Sequence, residues 1–267
     1  MTLRHIEVER GVAVSVRDLG EGDPVLLLHG WTLSHQAWDR QMRVLADDGH
    51  RVLGMDLRGH GWSDAPLRGY GVDRLAADAA TVLRALKVER ASVVGWSLGG
   101  MTALRLVADF PELVARLVLV GSAGVAGARQ PGFPYGPPPG IIENAMHGGE
   151  HGDRVGFRRQ ALVDTFASPP APHLVDWLHG ISLQTPSWVA NECMTTLLRA
   201  EQLRALDELT VPLTQITGLR DPFTPIEGAR WVHEQTGSTL VELDCGHYPM
   251  FECPDDFDAA LQKALAA

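Results

Sequence analysis

Basic residues are in deficit. The 267-residue chain carries 23 Lys and Arg against 33 Asp and Glu, a formal net charge of −10. That balance excludes the electrostatic footprint of a nucleic-acid binder and any attraction to an anionic membrane surface. Cysteine is scarcer still. Cys193, Cys245 and Cys253 are too few and too scattered for a disulfide framework or a zinc site, and a reducing cytoplasm is the expected setting. No apolar run approaches the ~18 residues that suggest a membrane span. Met1 to Glu7 has no apolar core, so no secretion leader is expected. No Gly-x-Gly-x-x-Gly and no P-loop lysine follow the glycine-rich turn at residues 95–100, which argues against a nucleotide-binding turn. Internal repeats are lacking, and the one low-complexity stretch is a Pro-Gly loop.

What is present suits one large α/β domain with an insertion. Ile6 to Glu9 and Val12 to Asp18 alternate apolar and polar residues around Gly11, the pattern of an antiparallel hairpin wetted on one face. Pro24 to Leu28 is a continuous apolar run, expected of a strand covered on both faces. Ser34 to Asp47 reads as helix and Arg51 to Met55 as strand. Val72 to Leu86 repeats its apolar residues at helical spacing. Ser92 to Gly95 is a strand, Leu98 to Asp109 a helix stopped by Phe110-Pro111, and Val114 to Val120 a strand. This alternation predicts parallel strands with crossover helices, and functional groups at the carboxyl ends of the strands. His29, Asp56, Ser97 and Gly121 fall at such ends.

After Ser122 the rhythm changes. Ala123 to Pro139 is Gly- and Pro-rich and can be neither helix nor central strand. Helical patterns follow over Arg154 to Phe166, His173 to Gln184 and Ser187 to Arg199. In the second, Leu174, Trp177, Leu178 and Ile181 share a face. Residues 123–206 are expected to form a helical cap inserted into a core of residues 1–122 and 207–267. The core resumes with the strand Leu213 to Gly218, a helix over Ile226 to Gln235, the strand Thr239 to Leu243 and a helix over Pro254 to Ala266.

The stretch Gly95-Trp96-Ser97-Leu98-Gly99 fits a nucleophile elbow, a sharp strand-to-helix turn that projects a serine hydroxyl into a pocket. Backbone and helix approach closely there, so glycine is required on both sides. The helix that begins beside the serine offers free N–H groups to developing negative charge. A serine hydroxyl needs a base, and the base an orienting acid. Asp221 lies just past the Leu213 strand, and His247 just past the Thr239 strand behind Gly246. The order Ser, Asp, His is that of this hydrolase topology. Asp244 is the rival acid. Oxyanion donors would be the N–H groups of Trp31 and Leu98.

His29-Gly30-Trp31-Thr32-Leu33-Ser34 with Trp38, Asp56-Leu57-Arg58-Gly59-His60-Gly61-Trp62-Ser63 and Gly95-Trp96-Ser97-Leu98-Gly99-Gly100 together resemble the α/β-hydrolase superfamily. Within it the N-terminal half is similar to the cofactor-free bacterial haloperoxidases, which are esterases with perhydrolase side activity. The 3-oxoadipate enol-lactone hydrolases and pimeloyl-carrier methyl-ester esterases are similar at the same places. The resemblance implies an eight-stranded, mostly parallel sheet, a triad of Ser97, Asp221 and His247, an oxyanion hole at Trp31 and Leu98, and no cofactor. The Pro-Gly loop from Arg129 to Gly140 departs from the haloperoxidase pattern.

Other polar residues have plainer readings. His29, Asp56 and His60 are expected to brace loops. His147, Glu150, His151 and Asp153 resemble a metal cluster, but in a Gly-rich run a solvated loop is the expectation, with no metal. Cys245 reads as a packing residue. Trp31, Trp96, Phe133, Tyr135, Phe166, Trp177, Trp188, Phe223 and Tyr248 are the candidates to line an apolar pocket. The function expected is hydrolysis of a carboxylic ester of a largely apolar small molecule. The alternatives are a lactone, a C–C bond in a ring-cleaved aromatic, or a ligand receptor on a hydrolase scaffold. The partner expected is a small-molecule ester or lactone, not nucleic acid or membrane. The oligomeric state is open, a homo-oligomer included.

Overall fold

The computed structural model describes residues 2–266. β1 (Thr2–Glu9) and β2 (Val12–Leu19) form the antiparallel hairpin around Gly11. β3 (Asp23–Leu28), β4 (His50–Met55), β5 (Ala91–Trp96), β6 (Val114–Val120), β7 (Leu213–Gly218) and β8 (Thr239–Leu243) complete one sheet. Its spatial order is β1-β2-β4-β3-β5-β6-β7-β8. β2 joins β4 antiparallel, and every pair from β4 through β8 is parallel.

The inner strands alternate their side chains between two cores, as a period of two requires. Leu26, Leu28, Val93, Leu117 and Leu119 face α2 (Val72–Ala85) and α3 (Leu98–Asp109). Val25, Leu27, Val94, Val118 and Val120 face the other way, toward a layer that includes α1 (Asp39–Asp47). The segment read as helix from Ser34 is a 3₁₀ turn, His35–Trp38, capped by the Ser34 hydroxyl, that runs into α1.

Between β6 and β7 the Gly-Pro segment is irregular, as expected, and five helices follow: α4 (Pro139–His151), α5 (Arg154–Asp164), α6 (Pro172–Ser182), α7 (Ser187–Arg199) and α8 (Arg204–Asp207). α4 corrects the expectation of a solvated loop. Its glycines weaken helix propensity, but Gly149 leaves room for the Phe157 ring of α5, and packing overrides propensity. Glu150 is buried, and Asp153 caps α5 by accepting from the Gly156 N–H. Among the described residues no group of His, Cys, Asp and Glu is arranged to hold a metal ion. On α6, Val175, Leu178 and Ile181 are buried while Trp177 remains 39% exposed. α9 (Ile226–Thr236) follows β7, and α10 (Pro249–Glu252) and α11 (Pro254–Ala266) follow β8. Phe257 and Leu261 of α11 join the core beside α1. No helix among the described residues is long and apolar enough to cross a membrane.

The loops after β3 and β4 are knitted together by buried polar groups. Asp56 accepts from the N–H and Nδ1 of His35, both at 2.7 Å, through one oxygen, and from the Trp62 N–H through the other. Burial opposes its ionisation, but the His35 hydrogen bond and charge leave its pKa below the ordinary carboxylate value. His29 donates from Nδ1 to the Gly30 carbonyl at 2.8 Å and accepts the Leu57 N–H at Nε2, at 3.0 Å. Burial pushes its pKa down to about 4, and that of His60 to about 3. Arg58, buried in the next turn, grips Asp78 of α2 through two hydrogen bonds. These residues brace the loops that flank the site.

Two neutral buried imidazoles make the fold acid-sensitive. Below pH 6.5 the unfolded chain protonates His29 and His60 while the folded chain does not. Unfolding therefore takes up protons, and stability falls as pH drops from 6.5 toward 4. Between pH 7 and pH 5 the free energy of urea unfolding is expected to fall by about 4 kcal/mol. A flat profile over that range would contradict the buried neutral state.

Candidate active site

β5 passes into α3 through one residue, Ser97, with φ +55° and ψ −116°. That backbone is strained for an L-residue, by about 1–3 kcal/mol. The turn is held by the Ser97 N–H, which donates to the Val120 carbonyl of β6 at 3.0 Å. A Cβ on Gly99 would lie 2.3 Å from the Leu28 carbonyl oxygen, and one on Gly95 would lie 2.3 Å from the Gly99 carbonyl oxygen. Both glycines therefore permit the close approach expected from the sequence.

The loop after β8 brings His247 to the same cavity as Ser97. His247 Nδ1 lies 2.7 Å from Asp221 Oδ2. Because the carboxylate accepts, Nδ1 carries the proton and Nε2 is free to accept. The other Asp221 oxygen accepts the N–H groups of Phe223, at 2.8 Å, and Thr224, at 2.9 Å, and the Thr224 hydroxyl donates to Oδ2. Burial works against the Asp221 charge, yet the electrostatic attraction and hydrogen bond of His247, with the Thr224 hydrogen bonds, hold its pKa below the ordinary value. Asp244 is not the partner. Its side chain is 80% exposed and pairs with Arg220.

Three contacts clamp the histidine loop. The Trp96 indole Nε1 donates to the His247 carbonyl at 2.9 Å, so the residue before Ser97 holds the loop that carries the imidazole. The His247 N–H donates to the Thr165 carbonyl beyond α5 at 3.1 Å. Glu252 accepts the N–H groups of Tyr248 and Ala167. Sequence reading did not find Thr165 or Glu252; its only available signal was that Glu252 follows Tyr248 at helical spacing. Among the described residues, neither the Trp31 nor the Leu98 N–H donates to a protein acceptor. The Trp31 indole donates to the Ala190 carbonyl of α7.

The cavity measures about 280 Å³. Trp31, Trp96, Phe223 and Tyr248 line it as expected, with Ile142, Met146, Phe157, Leu162, Met194 and Leu197 from the inserted helices. Five expected aromatics do not. Phe133 and Tyr135 pack edge-on together, with Phe133 also against Trp231 of α9, and border a separate small space. Phe166 lies behind the wall, stacked on Tyr248 at 4.4 Å. Trp177 packs on Phe251 at the surface, and Trp188, 44% exposed, reaches the Pro66 carbonyl. Apolar periodicity picks out an inward face but not which neighbour that face meets.

Gly99→Ala is expected to destabilise the protein by about 1–3 kcal/mol or more, because backbone atoms on β3 must move. Gly180→Ala, in α6 with open space around it, is expected to be neutral or to stabilise by about 0.4–1 kcal/mol. Urea denaturation of the pair checks both.

The sequence pattern of the alpha/beta hydrolase fold matches residues 23–254. The AB hydrolase superfamily protein YisY of Bacillus subtilis is 31% identical over 227 residues, 85% of this chain and 84% of that one. The non-heme chloroperoxidase of Streptomyces lividans is 30% identical over 234 residues, 82% of each chain. An esterase from Exiguobacterium antarcticum superposes with a TM-score of 0.94 at 28% identity, covering 98% of this chain and 99% of that one. With its family pattern matched across most of its length, and haloperoxidase and esterase relatives on either side, the chain belongs to the α/β hydrolase family.

Proposed function

We propose that this hydrolase cleaves a carboxylic ester of a small, largely apolar molecule through an acyl-enzyme. The observation that carries the reading is the meeting of the Ser97 elbow and the Asp221-paired His247 at one apolar cavity. Ser97 Oγ attacks the ester carbonyl and His247 Nε2 takes its proton. Asp221 fixes the imidazole tautomer and stabilises the imidazolium. The free N–H groups of Trp31 and Leu98 bind the oxyanion; one such donor is typically worth about 3 kcal/mol in the transition state. His247 then returns the proton to the departing alcohol, and water clears the acyl group. Peroxide in place of water gives the perhydrolase side reaction, in keeping with the chloroperoxidase relative.

Residues 123–206 act in this reading as the cap whose helices shape the cavity for the substrate. Among the lining residues there is no Lys or Arg, and the one carboxylate is Asp164, held by Gln160 at 2.6 Å. Such a wall favours an uncharged ester over an anionic ring-cleavage product. A pure receptor role leaves the strained serine and the ionised Asp221 without purpose.

With 4-nitrophenyl acetate, Ser97→Ala is expected to lower kcat by ~10⁴-fold or more with folding intact. Asp221→Asn is expected to cost ~10³–10⁴-fold, while Asp244→Asn stays within about twofold. An active Ser97→Ala protein would end this mechanism.

A further inference from the structure

Glu150 of α4 and Arg158 of α5 form a two-point ion pair with no solvent exposure, Nε to Oε1 at 2.6 Å and Nη2 to Oε2 at 2.8 Å. Such a pair contributes little net stability, since desolvation offsets the attraction. Its geometry shows what else it does. Arg158 Nη1 donates to the carbonyls of Ser182 and Thr185, the latter at 2.8 Å, where α6 ends. Arg154 adds donors to the Leu183 and Thr185 carbonyls, both at 2.7 Å. Two guanidiniums thus hold one turn at a helix C-terminus, where carbonyls lack partners of their own.

The hydroxyls of that turn reach the loop after β3. Ser182 Oγ donates to Thr32 Oγ1 at 2.9 Å, and Thr185 Oγ1 donates to the Thr32 carbonyl at 3.3 Å. Thr32 Oγ1 in turn donates to the Trp31 carbonyl at 2.9 Å. Thr32 has φ +56°, a conformation that a β-branched residue adopts only when its surroundings impose it. Ser182, Thr185 and Thr32 are all essentially solvent-free. The Arg158 guanidinium also stands 5.9 Å from the Trp31 ring.

We propose that Arg158, Ser182 and Thr185 are positioning residues for the oxyanion site. They clamp Thr32 in its left-handed conformation, and so set the angle at which the Trp31 N–H meets the substrate oxygen. The proposal rests on the reading that this N–H binds the oxyanion. It makes the inserted helices part of the rate apparatus as well as a wall of the pocket.

The double variant Ser182→Ala/Thr185→Val removes both hydroxyls and leaves the Arg158–Glu150 pair in place. Its kcat on 4-nitrophenyl acetate is expected to fall about tenfold with KM within about twofold, because only the transition state uses the displaced donor. Restoring one hydroxyl as Ser182→Ala/Thr185→Ser is expected to recover most of the loss. In protein carrying 5-fluorotryptophan, the ¹⁹F line assigned to Trp31 through Trp31→Phe is expected to shift in the double variant. An unmoved line, an unchanged kcat, or a rise in KM alone overturns the proposal. If the wild-type protein shows no Ser97-dependent turnover, the esterase reading fails separately. The fluorine line then still decides whether the turn holds Trp31, an unmoved line again being the overturning result.

Discussion

Everything at the site depends on how closely two backbones approach beneath α3. Gly99 lies against the carbonyls of Leu28 and His29, and Gly95 lies beneath Gly99 itself. That contact lets a helix begin immediately after a strand, and it leaves Ser97 in a conformation that a free chain would abandon. Apolar side chains on both faces of β3, β5 and β6 hold it there. The buried core has a mechanical task as well as a thermodynamic one, since it keeps a strained turn from relaxing.

Buried polar groups at the strand ends differ in what their bonding atoms meet. Asp56 and His29 stand at strand ends, as Asp221 and His247 do, and from the sequence all four look chemical. In the fold, both nitrogens of His29 are bonded, and Asp56 is occupied by His35 and Trp62. His247 is different: Nδ1 is committed to Asp221 while the ring borders the cavity. Burial has opposite consequences in the two places. It holds His29 neutral, and at Asp221 the neighbouring donors overcome it and keep the charge. The same physical chemistry therefore yields a brace in one loop and, in another, an imidazole–carboxylate pair at the cavity.

The sheet was legible because its inner strands are short apolar runs separated by amphipathic helices, a pattern with few alternatives. β6, β7, β8, α3 and α7 fall on the residues that pattern indicated. The convergence of Ser97 and His247 on one cavity, with Asp221 beside the imidazole, was legible because the strand ends of such sheets share one rim. α4 was not, because its glycines read as a loop until Phe157 is seen against Gly149. The cavity wall was harder still. Trp188 and Trp177 look like pocket residues in a helical pattern, yet the fold leaves them at the surface and gives the wall to Ile142, Met146, Met194 and Leu197. The bond from Trp96 to the His247 carbonyl joins residues 151 apart, and no local pattern announces a contact of that kind.

The cavity draws Ser97 and His247 from the ends of strands and most of its apolar lining residues from helices threaded between β6 and β7. These two sets of residues can therefore diverge at different rates. Exchanging Met146 or Leu197 for a larger or smaller neighbour reshapes the space without disturbing the elbow. The Thr32 turn is where that independence stops, because a helix that drifts away from it also loosens the loop beneath. On this scaffold the cavity can change shape through its wall while the elbow stays as it is, provided that one seam is kept.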